Sequence, residues 1–165
     1  MKTLETIKSK IFDIHGLLMR LAVWKLLGDK IVFTNGCFDI LHLGHVDYLC
    51  KAADEGDRLI IAVNTDRSVS SGKGLHRPIN KEEQRSMILA SLRFTDAVIL
   101  FDEATPYELI KMIQPDVLVK GSDYKTEDIV GNDVVVSNGG MVKTIDLLVG
   151  YSTTGIEERI IKTKK

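Results

Sequence analysis

Cysteine is scarce. Cys37 and Cys50 are the two cysteines in 165 residues, and neither belongs to a Cys-x-x-Cys pair. Two thiols make no disulfide framework, which fits reduced thiols in a reducing compartment. Charge of one sign is lacking too. There are 22 basic and 23 acidic residues, for a net charge of −1. No global field then draws the chain to nucleic acid or an anionic membrane, so any anion needs a local site. No apolar run approaches the length of a bilayer span. Met1 is followed by Lys2, Thr3, Leu4 and Glu5 rather than by an apolar stretch, so no secretory signal is expected. These absences predict a soluble, cytoplasmic protein. There is also no repeat, low-complexity tract or Pro/Gly/Ser linker, so a single domain is expected.

What is present is ordinary in bulk, with 44% hydrophobic and 27% charged residues. The organisation is more informative. Residues 1–28 read as a helical lead-in, with Leu17, Leu18, Leu21 and Trp24 near helical spacing, ended by Gly28-Asp29. From residue 29 short β-rich runs alternate with helical stretches. The runs are 30–34, 58–64, 97–101, 117–120 and 133–136, with a last one at 142–148. The helical stretch 42–55 puts Val46, Leu49, Cys50 and Ala53 on one face. Capping boxes are expected at Asn80/Glu83, Thr105/Glu108 and Thr154/Glu157, the second with Pro106 at the first helical position. The alternation predicts an α/β fold, a parallel sheet of about five strands with helices on both faces. Ligands in such folds bind beyond the carboxyl ends of the strands.

The first such end reads Thr34-Asn35-Gly36-Cys37-Phe38-Asp39-Ile40-Leu41-His42-Leu43-Gly44-His45. A strand enters a Gly-containing turn, and a helix begins near the histidines. A helix N-terminus offers free N–H groups and partial positive charge, which suit a phosphate. His42 and His45, three apart, project on one side of the first turn. Gly44 leaves room for a ligand. Paired histidines also suit a metal, but no third ligand has a recognisable spacing.

The second strand end, Asn64-Thr65-Asp66, leads into a cationic segment holding Arg67, Lys73, His76, Arg77, Lys81 and Arg85. Lys73 lies between Gly72 and Gly74, as in a loop that closes over a triphosphate. Arg85 offers a forked donor pair for phosphate, or else a salt bridge to Glu82 or Asp66. The fourth strand ends at Lys120-Gly121-Ser122-Asp123-Tyr124, where Asp123 is placed to read a base edge or a ribose. Gly150-Tyr151-Ser152-Thr153-Thr154 opens the last helix, as a simple cap or as a second anion site.

Gly36-Cys37-Phe38-Asp39 with His42-Leu43-Gly44-His45 resembles the cytidylyltransferase-like nucleotidyltransferases. Arg77-Pro78-Ile79-Asn80, Arg85, Thr105-Pro106, the segment 115–121, Asp123-Tyr124 and Tyr151-Ser152-Thr153-Thr154 follow in order. Together they resemble the D-glycero-D-manno-heptose 1-phosphate adenylyltransferase family, over roughly residue 30 to the C-terminus, in a stand-alone form without the sugar kinase often fused to it. The resemblance implies a Rossmann-like nucleotidyltransferase domain over 29–165. It implies transfer of AMP from ATP to a heptose 1-phosphate, with Mg²⁺ held mainly through substrate phosphates and Asp39 as a possible partner. It casts His42, His45, Lys73 and Arg85 as catalytic. Thr34, Asn35, Gly36, Phe38, Asp39, Gly44, Lys120, Gly121, Asp123, Ser152, Thr153 and Thr154 would hold the nucleotide, and Asp66 and Arg77 the sugar phosphate. One departure is Ser122, where the family usually has a second Gly. The enzyme alternative is a cytidylyltransferase acting on glycerol 3-phosphate or a related alcohol phosphate. A non-catalytic nucleotide-binding module is the other. A homodimer is expected, since an apolar lead-in helix suits a dimer interface as readily as the core.

Overall fold

The computed structural model describes residues 2–122 and 125–163. The elements run α1 (Lys2–Lys8), β1 (Ile11–Phe12), α2 (Ile14–Leu26), β2 (Ile31–Gly36), α3 (Leu43–Ala53), β3 (Arg58–Asn64), α4 (Asp66–Lys73), α5 (Glu82–Ser91), β4 (Ala97–Phe101), α6 (Tyr107–Ile113), β5 (Val117–Gly121), α7 (Asn132–Ser137), β6 (Met141–Ile145) and α8 (Thr153–Thr163). The six strands form one parallel sheet in the order β1-β4-β3-β2-β5-β6. The chain winds outward from β2 through β3 to β4, then returns to the other side of β2 for β5. The reversal opens a crevice at the carboxyl ends of β2 and β5, where Rossmann-like sheets bind ligands.

Alternate side chains of each strand enter opposite core layers. Ile31 and Phe33 of β2, Ile60 and Ala62 of β3, and Leu118 of β5 pack with Leu17, Leu21 and Trp24 of α2, Ile110 and Ile113 of α6 and Val135 of α7. Val32, Ile61, Val63, Val117 and Val119 pack on the other face with Tyr48, Leu49 and Ala52 of α3 and Leu89 and Ala90 of α5. A strand buried on both faces reads as a continuous apolar run, which is why these strands stood out.

Several local expectations change. The lead-in is two helices flanking a two-residue strand, and β1 extends the sheet by pairing with β4. The break comes at Asp13, whose side chain accepts from the Gly16 N–H and caps α2. The run 133–136 is not a strand but α7. Parallel β5 and β6 need a crossover over the sheet face, and that demand outweighs the β preference of three consecutive valines. The segment around Gly72-Lys73-Gly74 is no open loop. Lys73 is the last residue of α4, and Gly74 stops the helix with a φ of 96°. The buried face of α3 is Gly44, Tyr48, Leu49 and Ala52, offset from the expected set. The caps slip as well. Lys81 precedes α5 with Gln84 closing the box, Pro106 precedes α6 without a side-chain cap, and Ser152 Oγ accepts from the Gly155 N–H at the start of α8.

Candidate active site

A cavity of about 700 Å³ opens at the β2/β5 crevice. One wall is the segment after β2 and the start of α3. The facing wall is the segment after β6 and the start of α8. Lys73 of α4 and Lys120 and Gly121 of β5 complete the lining. The two helix N-termini meet closely, since a Cβ added at Gly44 would lie 3.1 Å from both the His42 ring and Tyr151 Cβ. Glycine is therefore what lets α3 and the approach to α8 close on each other.

His42 is the N-cap of α3, and its Nδ1 accepts a long hydrogen bond, 3.4 Å, from the His45 N–H. That bond leaves the proton of neutral His42 on Nε2, the nitrogen able to donate to an anion. The two imidazoles stack with centroids 3.8 Å apart and an interplanar angle of 21°, and Phe38 meets His45 edge-on at 5.4 Å. Burial lowers the pKa of His42. Burial, with the neighbouring His42 next in weight, lowers that of His45 to about 4, while the Ile40 backbone opposes the shift and Lys73 adds to it. Both rings are thus neutral near pH 7.

Backbone strain falls in the same place. Phe38 has a φ of 47°, in the left-handed region that a bulky residue rarely adopts. It is held by its successor. Asp39, 6% exposed, accepts from the backbone N–H groups of Ile79 and Asn80 and from Arg77 Nη1. Burial pushes its carboxyl up, but the Asn80 and Ile79 N–H groups and the Arg77 guanidinium outweigh it and hold it below the usual carboxylate range.

Asn35, Gly36, Phe38, Asp39, His42, Gly44, His45, Lys73, Arg77, Lys120, Gly121, Ser152, Thr153 and Thr154 all line the cavity. Three of the expected site residues, Arg85, Asp66 and Thr34, lie outside the cavity lining. Arg85 is 1% exposed and lies behind the site. It donates to the carbonyls of Asn80 and Cys37 and to Asp66 Oδ1, the salt bridge that was the alternative to phosphate, and it is not part of the cavity lining. Asp66 lines a separate, open hollow with Glu82, where Asp66 and Glu82 each accept from the other's backbone N–H. Thr34 is fully buried. Its hydroxyl donates to Tyr48 Oη at 2.7 Å, and Tyr48 donates to the Val119 carbonyl, which ties β2, α3 and β5 together below the cavity. Arg77 does line the cavity, but both its terminal nitrogens are held by carboxylates, Asp39 and Glu157. Asp123 lies outside the described residues. Ser122 continues the sheet edge, donating its backbone N–H to Ile145.

Sequence reasoning missed Leu147, Leu148 and Tyr48 in the lining, and gave no role to Cys37, Asn64 and Tyr151, which line it too. The two leucines were hidden inside the run 142–148, whereas β6 ends at Ile145 and the next residues turn over the cavity. Tyr48 follows Gly44 by four residues, so helical spacing from the motif could have found it.

The Cytidylyltransferase-like family matches residues 33–159. The bifunctional protein HldE of Methylobacillus flagellatus is 51% identical over 151 residues, covering 92% of this chain and 31% of that protein. The bifunctional protein HldE of Gluconobacter oxydans is 56% identical over 131 residues, covering 79% and 27%. The chain thus spans about a third of the length of the curated relatives it matches. Among solved structures, the lipopolysaccharide core biosynthesis protein from Thermoplasma volcanium GSS1 is 30% identical with a TM-score of 0.60, covering 73% of this chain and 98% of that one. Pantoate-beta-alanine ligase from Francisella tularensis shares the fold, with 17% identity and a TM-score of 0.57 over 94% of this chain.

Proposed function

The chain belongs to the cytidylyltransferase-like family, and from that premise we propose that it transfers AMP from ATP to a heptose 1-phosphate, giving ADP-heptose and pyrophosphate. The observation that carries the proposal is the meeting of two helix N-termini at one cavity. One bears the His42/His45 pair and the other Ser152, Thr153 and Thr154. Such an arrangement presents free N–H groups, hydroxyls and two imidazole donors to a polyanion. The relatives named HldE and the lipopolysaccharide core biosynthesis protein support a heptose acceptor.

In this reading a phosphate oxygen of the sugar 1-phosphate attacks the α-phosphorus of ATP, and the bond to the β-phosphate oxygen breaks in line with it. The attacking phosphate is already ionised near neutral pH, so no general base is required. The protein acts by positioning and by stabilising charge at the transferring group. His42 and His45 donate to oxygens of the α-phosphate and of the leaving group. Ser152–Thr154 hold the β/γ end, Lys73 neutralises phosphate charge, and Leu147 and Leu148 give the base or ribose an apolar wall. Mg²⁺ accompanies the substrate phosphates. Asp39 does not fit as its ligand, because its carboxylate is held by Ile79, Asn80 and Arg77, and the described residues contain no group of three or more His, Cys, Asp or Glu side chains able to hold a metal ion. In this reading Mg²⁺ would be held by triphosphate oxygens and water, and would supply charge neutralisation at the phosphates.

The reading includes a cytoplasmic homodimer, with the exposed face of α2 as its interface. No helix among the described residues is long and apolar enough to cross a membrane.

A screen of sugar 1-phosphates against the four nucleoside triphosphates, read by pyrophosphate release, tests the assignment. ATP with a heptose 1-phosphate should stand out. Preference for CTP with glycerol 3-phosphate would replace the substrates and keep the chemistry, and ATP binding without product for any acceptor would reject it.

A further inference from the structure

Arg77 stands where three walls of the cavity meet. Its Nη1 donates to Asp39 Oδ2 at 2.8 Å, on the segment that follows β2. Its Nη2 pairs with Glu157 of α8. Its backbone carbonyl accepts from Ser70 Oγ, and its backbone N–H donates to the Gly74 carbonyl at 3.0 Å, which fixes it to the last turn of α4 beside Lys73. One residue thus touches the segment that leads into the histidine helix, the end of the helix that carries Lys73, and the helix opened by Ser152-Thr153-Thr154.

The helix at the far end of this chain of contacts needs such a tether. None of the α8 residues described is buried, so apolar packing does little to fix it. Elements with little burial open locally at low free energy, and a few polar contacts then decide their position. The Arg77 and Glu157 side chains are both mostly buried, a setting in which an ion pair is screened less than on an open surface. A planar guanidinium can hold two carboxylates at once in fixed directions, which a lysine cannot.

We propose that Arg77 is a positioning residue. Through Asp39 on one side and Glu157 on the other, it sets the placement of the α8 N-terminus relative to the His42/His45 pair. Its effect on turnover rests on the nucleotidyl-transfer reading above, whereas its effect on α8 does not.

The test uses Glu157→Gln, which removes the charge at constant size, and Arg77→Lys, which keeps the charge and loses the fork. Two quantities are read. The first is backbone amide exchange over residues 155–163 in the unliganded protein. The second is the split between KM for ATP and kcat. Both variants should speed exchange in α8 and raise KM for ATP by roughly three- to tenfold, the size of one ion pair's contribution. For Glu157→Gln, kcat should stay within about twofold of wild type, as expected when binding rather than the chemical step is disturbed. Unchanged exchange in α8 in both variants would overturn the proposal. So would a raised KM for the sugar phosphate alone in Arg77→Lys, which would make Arg77 a direct ligand of that substrate. If the wild-type protein turned over no nucleotide–acceptor pair, the functional reading would fall, and the exchange measurement would still decide whether Arg77 tethers α8.

Discussion

The imidazoles of His42 and His45 stack at 3.8 Å, and burial together with that neighbour brings the pKa of His45 down to about 4. The pair is neutral near pH 7 and lines the cavity. Its consequences for pH come first. In the unfolded chain His45 titrates near the usual 6.5, in the folded chain near 4. Between those values the unfolded state binds more protons, so stability rises with pH across that window and this contribution is complete above it. Urea unfolding from pH 4 to 7 should show a shallower slope for His45→Asn than for wild type. Parallel slopes would contradict the buried neutral ring.

Turnover should depend on both rings. His42→Ala or His45→Ala should lower kcat by at least about a hundredfold, the usual loss for one donor to a transition-state anion. Steady-state pyrophosphate release measures it, and wild-type rates in both variants would reject the assignment.

Arg85 carries the opposite prediction. It is buried, donates to Asn80, Cys37 and Asp66, and supports the site from behind. Arg85→Met removes the buried guanidinium from Asp66 and from two carbonyls and should lower unfolding free energy by about 3 kcal/mol. Chemical denaturation reads the loss. A variant of unchanged stability that lost only ATP affinity would restore Arg85 to the phosphate.

Gly44→Ala is a test of closeness. The added methyl meets the His42 ring and Tyr151 Cβ at 3.1 Å, tighter than ordinary contact, so the two helix starts must part by a few tenths of an ångström. KM for ATP should rise while the thermal midpoint moves little. An unaffected KM would show that the two N-termini need not meet.

How much of this was legible depends on what each signal records. Strands 58–64 and 97–101, and the run 117–120 within β5, were readable because both their faces are buried, and the histidine motif because it sits at a strand end. Val134-Val135-Val136 misled because a crossover helix is required by the sheet and not by those residues. For Arg85 the sequence left phosphate and an Asp66 salt bridge both open, because its charge is visible and the fold that brings its acceptors to it is not. Those acceptors come from segments up to 48 positions away. Leu147 and Leu148 were lost for want of any local mark at the end of β6.

The lead-in helix α2 serves the core with one face and leaves apolar residues exposed on another. Leu17, Leu21 and Trp24 fill the core, while Met19, Val23, Leu26 and Leu27 form an exposed apolar stripe. Sedimentation velocity should give a dimer for the wild-type chain and a monomer for Val23→Glu combined with Leu26→Glu. A wild-type monomer at every concentration would remove that interface.

The central claim is that the two imidazoles hold the reacting phosphate. Histidine-selective ¹⁵N NMR with a non-hydrolysable ATP analogue and Mg²⁺ tests it most directly. Saturation should shift the ring nitrogens of His42 and His45 and raise the pKa of His45 above its unliganded value of about 4. Ring signals and titration curves that stay unchanged while the analogue binds would contradict it.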